Sequence, residues 1–181
     1  ENTTNKGGGA IYNFSEIEKI KELCDLNKLA LHLDGARLWN ALEVTQRSPK
    51  DYGNLFNTIS LCFSKGLGCP VGSVLLGSKS DIEEALRIRK VLGGGMRQAG
   101  YLAAAASYAL KNHRADLKKD HIKAHEIAKT LKTLELIDHV APVETNIIIF
   151  SLISSEDENQ FIKKMRAKGI FFISLGKGKL R

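Results

Sequence analysis

The chain has 181 residues, 43% hydrophobic and 26% charged, enough apolar material for one domain or one domain with a small second one, and too much for a disordered tail. No run of about 18 apolar residues occurs, which excludes a membrane-spanning helix. The net charge of +7 arises from 27 Lys and Arg against 20 Asp and Glu, but the basic residues are scattered and aromatics make up 7%, so the surface reads as solvated, attractive to anionic small molecules and without a nucleic-acid interface.

Residues 1–10 are polar and glycine-rich, a loop. Ser15 with Glu18 reads as a capping box, and Ile17, Ile20, Leu23 and Cys24 at helical spacing predict a helix over 15–27. Apolar runs at 29–33, 58–63 and 72–76 predict strands, the first ending at Asp34-Gly35 and the second at Ser64-Lys65-Gly66. Ser80 with Glu83 predicts the start of a helix running toward Leu92, broken by Gly93-Gly94-Gly95. That glycine run reads either as a phosphate cradle or as a flexible entry to the next helix. Helices follow over 98–111 and 117–136, the latter with Ile127, Leu131 and Leu134 on one face. Then come a strand at 147–150, a helix at 157–168 and a strand at 170–174. The alternation predicts an α/β fold with a mostly parallel sheet. A composition shift near residue 112 divides a larger domain, 1–112, from a smaller one, 113–181, whose final Lys179-Leu180-Arg181 reads as an unfinished element.

Cys24, Cys62 and Cys69 are odd in number and form no CxxC pair, which predicts buried thiols in a reducing, cytoplasmic compartment rather than disulfides or a zinc site. His121 and His125 stand four apart without the intervening Glu of a zinc helix and read as an exposed face. The chain starts at Glu1 without a charged-then-apolar leader, which predicts no signal peptide and either a processed chain or a segment of a longer one.

In a parallel α/β sheet, ligands sit at the carboxyl ends of the strands. Here two such ends deliver Asp34 with Arg37, and Ser64 with Lys65. A lysine amine in apolar surroundings is a nucleophile that forms a Schiff base with an aldehyde. An Asp one strand away suits the protonated ring nitrogen of pyridoxal phosphate, and an Arg three residues on can take a carboxylate by a two-pronged hydrogen bond. Taken singly, Asp34 reads as a turn residue, Lys65 as a surface lysine, Arg37 as an ion-pair partner and His32 as a core histidine or a neighbour of Asp34 on the same strand face. Taken together, they describe a pyridoxal phosphate enzyme acting on an amino acid.

The stretches His32-Leu33-Asp34-Gly35-Ala36-Arg37-Leu38-Trp39-Asn40-Ala41, Ser60-Leu61-Cys62-Phe63-Ser64-Lys65-Gly66-Leu67-Gly68-Cys69-Pro70-Val71-Gly72-Ser73 and Arg89-Lys90-Val91-Leu92-Gly93-Gly94-Gly95-Met96-Arg97-Gln98-Ala99-Gly100 closely resemble the L-threonine aldolase family. Glu1-Asn2-Thr3-Thr4-Asn5 and Glu144-Thr145-Asn146-Ile147 resemble it too, so the likeness spans essentially the whole chain. It implies part of the large domain of a fold-type-I pyridoxal phosphate enzyme, followed by a smaller α/β domain. It also implies retro-aldol cleavage of L-threonine or L-allo-threonine to glycine and acetaldehyde. By that resemblance Lys65 carries the cofactor, Asp34 meets the pyridinium nitrogen and Ser64 touches the phosphate. Arg97 lies near the cofactor, toward the phosphate of a neighbouring subunit's site, while Arg37 and Arg181 take the substrate carboxylate. A homotetramer built as a dimer of dimers with shared active sites is implied as well. Family members carry a further N-terminal segment with a phosphate-binding turn and two histidines, and a further C-terminal one, so this stretch holds the Lys and Asp without the whole pocket. The alternatives are a β-eliminating lyase, an aldolase for bulkier hydroxy amino acids such as phenylserine, and a non-catalytic fragment.

Overall fold

The computed structural model describes residues 1–154 and 157–181. The chain forms two compact units. The first comprises Glu1–Thr3 and Ile11–Lys118, the second Thr4–Ala10 and Lys119–Arg181.

The first unit opens with α1 (Phe14–Leu26). Its N-cap is Asn13, whose side chain accepts from the Ser15 N–H, so the cap falls two residues before the expected Ser15. Strand β1 (His32–Gly35) starts later than the apolar run and takes in Asp34. Two helices follow, α2 (Leu38–Thr45) and α3 (Pro49–Leu55), where the order of motifs implies one. The start of α3 is fixed by Pro49 at its first position and by a reciprocal box between Ser48 and Asp51. Strand β2 is Thr58–Cys62 and β3 is Ser73–Gly77. Helix α4 (Lys79–Val91) is capped by Ser78, not Ser80. The glycine run ends it: Gly93 and Gly94 donate to the carbonyls of Lys90 and Arg89, and Gly93 has φ +85°. Helix α5 (Gly100–Asn112) completes the set, and a 3-10 turn (Arg114–Asp116) leads into α6 (Leu117–Leu131).

The sheet of this unit has the order β1-β2-β3. β1 and β2 are parallel, joined through α2 and α3. β2 and β3 are antiparallel, because the ten residues between them hold no helix to carry the chain back. The fold is α/β as expected, with mixed rather than mostly parallel pairing. Leu33, Ile59 and Leu61 turn to one face of the sheet and pack with Leu38, Leu42 and Tyr52. Each such burial contributes about 1.5–3 kcal/mol. A second cluster gathers Phe63, Leu67, Cys69, Ala109 and Leu117.

The second unit carries a four-stranded antiparallel sheet of order β4-β5-β7-β6: β4 (Ile137–Val140), β5 (Phe150–Leu152), β6 (Ser174–Gly176) and β7 (Lys179–Leu180). The expected strands at 147–150 and 170–174 lie toward the carboxyl side of their apolar runs, and Lys179-Leu180 pairs with both β5 and β6. Helix α6 stops five residues short of its expected end, where Leu134 accepts from the Ile137 N–H. Its Ala124 and Ala128 are buried and Leu131 packs against the same core as expected, while Ile127 and Leu134 are exposed. His121 is buried and His125 exposed, against the expectation of one exposed pair. Helix α7 (Glu158–Ala167) starts at Asp157 as expected, with Asp157 capping the N–H groups of Asn159 and Gln160. Phe150, Leu152 and Leu180 form the core with Ala128 and Val140.

Candidate functional site

β1 and β2 run side by side in the same direction, so their carboxyl ends meet at one edge of the sheet. Asp34 stands opposite Ser60 in that register, and His32 opposite Thr58. The side-chain alternation of strands sends His32 and Asp34 to the face away from the core, together with the half-buried Thr58, Ser60 and Cys62. The Asp34 carboxylate is exposed there and accepts from the Ala36 N–H at 3.0 Å, a local contact that turns the chain out of the strand. His32 is exposed, not a core histidine, and its Nδ1 meets the Thr58 hydroxyl at 2.8 Å.

Beyond β2 the chain makes a tight loop. Gly68, at φ +73°, donates to the Lys65 carbonyl at 2.8 Å, Cys69 to the Phe63 carbonyl at 3.1 Å and Phe63 to the Gly72 carbonyl at 3.0 Å. Gly66 packs closely on Leu117, whose Cδ2 a Cβ there would meet at 2.6 Å, so a larger residue would need Leu117 to shift. The loop holds Ser64 and Lys65 out on the surface; the apolar setting expected around Lys65 is not supplied by these residues. Lys65 Nζ donates to Cys62 Sγ at 2.9 Å, back onto the last residue of β2.

Arg37 follows β1 at the N-cap position of α2. Its guanidinium Nη1 pairs with Glu1 Oε1 at 3.2 Å. The structure thus brings Asp34, Arg37, Ser64 and Lys65 to the carboxyl ends of two adjacent strands. Arg97 is exposed in the turn before α5, and no described hydrogen bond or ion pair joins its side chain to those four. Arg181 belongs to the second unit, where its backbone pairs in both directions with Ile173, at 2.9 and 3.0 Å. The sequence reading missed Cys62 and Glu1 as neighbours of candidate groups. The alternation Thr58, Ser60, Cys62 on one strand face was the available signal for the first; a pair 36 residues apart left none for the second.

Among the described residues no cluster of His, Cys, Asp and Glu could hold a metal ion, and no helix is long and apolar enough to cross a membrane. The cysteines are free; Cys69 is buried, while Cys24 and Cys62 are half-buried rather than buried as expected. A cavity of about 470 Å³ lies under the opposite face of the sheet, lined by Leu42, Ile59, Leu61 and Leu76 among others, and so stands apart from Asp34.

A sequence model of the beta-eliminating lyase family matches residues 1–154. The chain belongs to that family. Among its relatives, the probable low-specificity L-threonine aldolase 2 of Arabidopsis thaliana is 46% identical over 149 residues, 82% of this chain and 42% of that protein. The low-specificity L-threonine aldolase of Candida albicans is 40% identical over 161 residues, 88% of this chain and 43% of that one. The chain therefore spans less than half the length of these two relatives. A solved structure of a putative L-allo-threonine aldolase from Listeria monocytogenes EGD-E superposes with a TM-score of 0.86 at 24% identity, covering 98% of this chain and 52% of that one. At that identity the likeness establishes the fold.

Proposed function

We propose that this chain is part of a pyridoxal phosphate-dependent aldehyde-lyase that cleaves L-threonine or L-allo-threonine to glycine and acetaldehyde. The observation that carries the reading is the parallel pairing of β1 with β2, which delivers a carboxylate and a primary amine to the same sheet edge. The family supports the cofactor, and the likeness to low-specificity L-threonine aldolases supports the substrate.

The donor set fits the cofactor. Lys65 offers an exposed amine for its aldehyde, Asp34 an exposed carboxylate for its ring nitrogen and Ser64 a hydroxyl for its phosphate. Arg97 adds a cation for the phosphate, reaching a neighbouring subunit's site. When bound, pyridoxal phosphate supplies an electron sink for the bond broken at Cα. Asp34 keeps the ring nitrogen protonated by accepting its hydrogen bond, which sustains that sink. Lys65 would hold the cofactor's aldehyde carbon through its amine. Arg37 and Arg181 receive the substrate carboxylate through paired N–H donors and so orient the amino acid.

In this reading residues 1–112 contribute to the cofactor-binding domain and 113–181 to the smaller one. The whole protein is a cytoplasmic homo-oligomer, a dimer of dimers with shared sites, that takes a small amino acid and neither nucleic acid nor membrane. The family match keeps a β-eliminating lyase as the second reading. The test is to add pyridoxal phosphate, reduce with borohydride and map the modified peptide. A phosphopyridoxyl group on Lys65, lost in Lys65→Ala and weakened in Asp34→Asn, is expected; its absence from Lys65 refutes the assignment. With L-threonine in the longer protein, acetaldehyde supports the aldolase, and keto acid with ammonia supports the eliminating lyase.

A further inference from the structure

Arg37 occupies a position that local stability disfavours. It stands at the N-cap of α2 and its side chain makes no cap hydrogen bond, where Ser, Thr, Asp or Asn would satisfy the first N–H groups. A cation at a helix N-terminus also opposes the helix dipole. Such a local conflict marks a residue kept for another purpose.

The segment beside it is built to hold it. Asn2 and Thr3 are 1% and 0% exposed. Asn2 Nδ2 donates to the Tyr52 hydroxyl at 3.1 Å, and Asn2 Oδ1 accepts from the N–H groups of Thr3 at 3.1 Å and Tyr12 at 3.0 Å. Thr3 has φ +58°, a conformation that a β-branched residue adopts at a cost. So fixed, the Thr3 hydroxyl donates to the Asn2 carbonyl at 2.6 Å and shares that proton with the Arg37 carbonyl at 3.1 Å, while Glu1 meets the Arg37 guanidinium. One three-residue stretch thus grips Arg37 at both its backbone and its side chain. The Arg37 side chain is 16% exposed and Glu1 lies at the surface, so the pair is partly open to water.

We propose that Glu1 is a positioning residue for Arg37: it holds the guanidinium through Nη1 so that the remaining donors stay aimed at an incoming amino-acid carboxylate. The inference rests on the reading of Arg37 as a carboxylate ligand. A guanidinium binds a carboxylate through a planar fork, and a fork already fixed by one edge loses less freedom on binding. Glu1 also offsets the unfavourable charge at the start of α2.

The two layers are tested separately. In the chain as it stands, phenylglyoxal modification of Arg37 is followed by peptide mass spectrometry. Glu1→Ala speeds it by about threefold, the factor of a partly exposed ion pair, and Glu1→Gln, which keeps an acceptor oxygen, lies between the two. An unchanged rate in Glu1→Ala overturns the proposal. Thr3→Ala, which keeps Glu1, gives a smaller rise. In the longer protein, Glu1→Ala raises KM for L-threonine more than it lowers kcat, with recovery in Glu1→Gln; a kcat loss with constant KM also overturns it. If Arg37→Lys leaves that KM unchanged, the role of Arg37 itself is wrong, and the labelling rates still report whether Glu1 holds it.

Discussion

Lys65 Nζ donates to Cys62 Sγ at 2.9 Å, so the amine proposed to carry the cofactor rests on the last residue of β2. Cys62 in turn shares its strand face with Ser60, the partner of Asp34 in the register. The thiol, the amine and the carboxylate therefore belong to one surface rather than to three separate loops.

That contact makes a chemical prediction. N-ethylmaleimide added to Cys62 places a bulky group against Lys65. Trapping of pyridoxal phosphate on Lys65 is expected to fall by more than about tenfold, since a misplacement of about 1 Å at a reacting centre already costs that much or more. Cys69 is buried and resists the reagent, so peptide mapping separates the sites. Full trapping on protein alkylated at Cys62 contradicts the contact.

Gly35 lies next to Asp34 and faces into the β1–β2 pair. A Cβ added there would stand 2.7 Å from the Ser60 carbonyl oxygen and 2.9 Å from Leu61 Cδ2. Backbone cannot yield as a flexible side chain does, so Gly35→Ala is expected to destabilise by about 1–3 kcal/mol and to weaken cofactor trapping with it. Gly53, inside α3, has nothing within 4 Å of its added Cβ. Gly53→Ala is expected to gain about 0.5–1 kcal/mol from helix propensity. Urea unfolding of the two variants checks both signs.

The start of α3 supplies an acid-range prediction. The Ser48 N–H and hydroxyl hold the Asp51 carboxyl below its usual range, the backbone bond most strongly. A lowered carboxyl contributes stability that is present above the unfolded value of 3.8 and is lost as pH falls through the folded value. Thermal unfolding followed between pH 6 and 2 should therefore show a smaller acid drop in Asp51→Asn than in the parent chain. Equal drops refute the role of the box.

The elements that carry this site were legible where one strong pattern fixed them. Apolar runs located β1 and β2, and Ser64-Lys65 after β2 pointed to the sheet edge. Caps were less legible, because Asn13 and Ser15, or Ser78 and Ser80, are equally good capping residues and only the backbone angles choose between them. The pairing of β3 depended on a helix-free connection whose direction the strand's own residues do not encode. The grip on Arg37 joins residues 34 to 36 apart and has no periodic signature at all.

Tyr52 ties the Glu1–Thr3 segment to the core and gives the alkaline prediction. It is 0% exposed, packs edge-on against Phe14 at 5.2 Å between ring centroids, and accepts from Asn2. Burial pushes its hydroxyl above the ordinary 10.0, with the Asn2 hydrogen bond opposing the shift. A raised folded value means that the contribution to stability is complete below 10.0 and disappears as pH rises through the folded value. The parent chain should lose stability steeply above about pH 10, and Tyr52→Phe should remove that steep component. At neutral pH the same variant leaves the buried Asn2 amide without its acceptor and is expected to cost about 1–3 kcal/mol. Urea midpoints measured at pH 7 and pH 10.5 separate the two effects. A Phe variant that keeps the alkaline loss would assign it to another group.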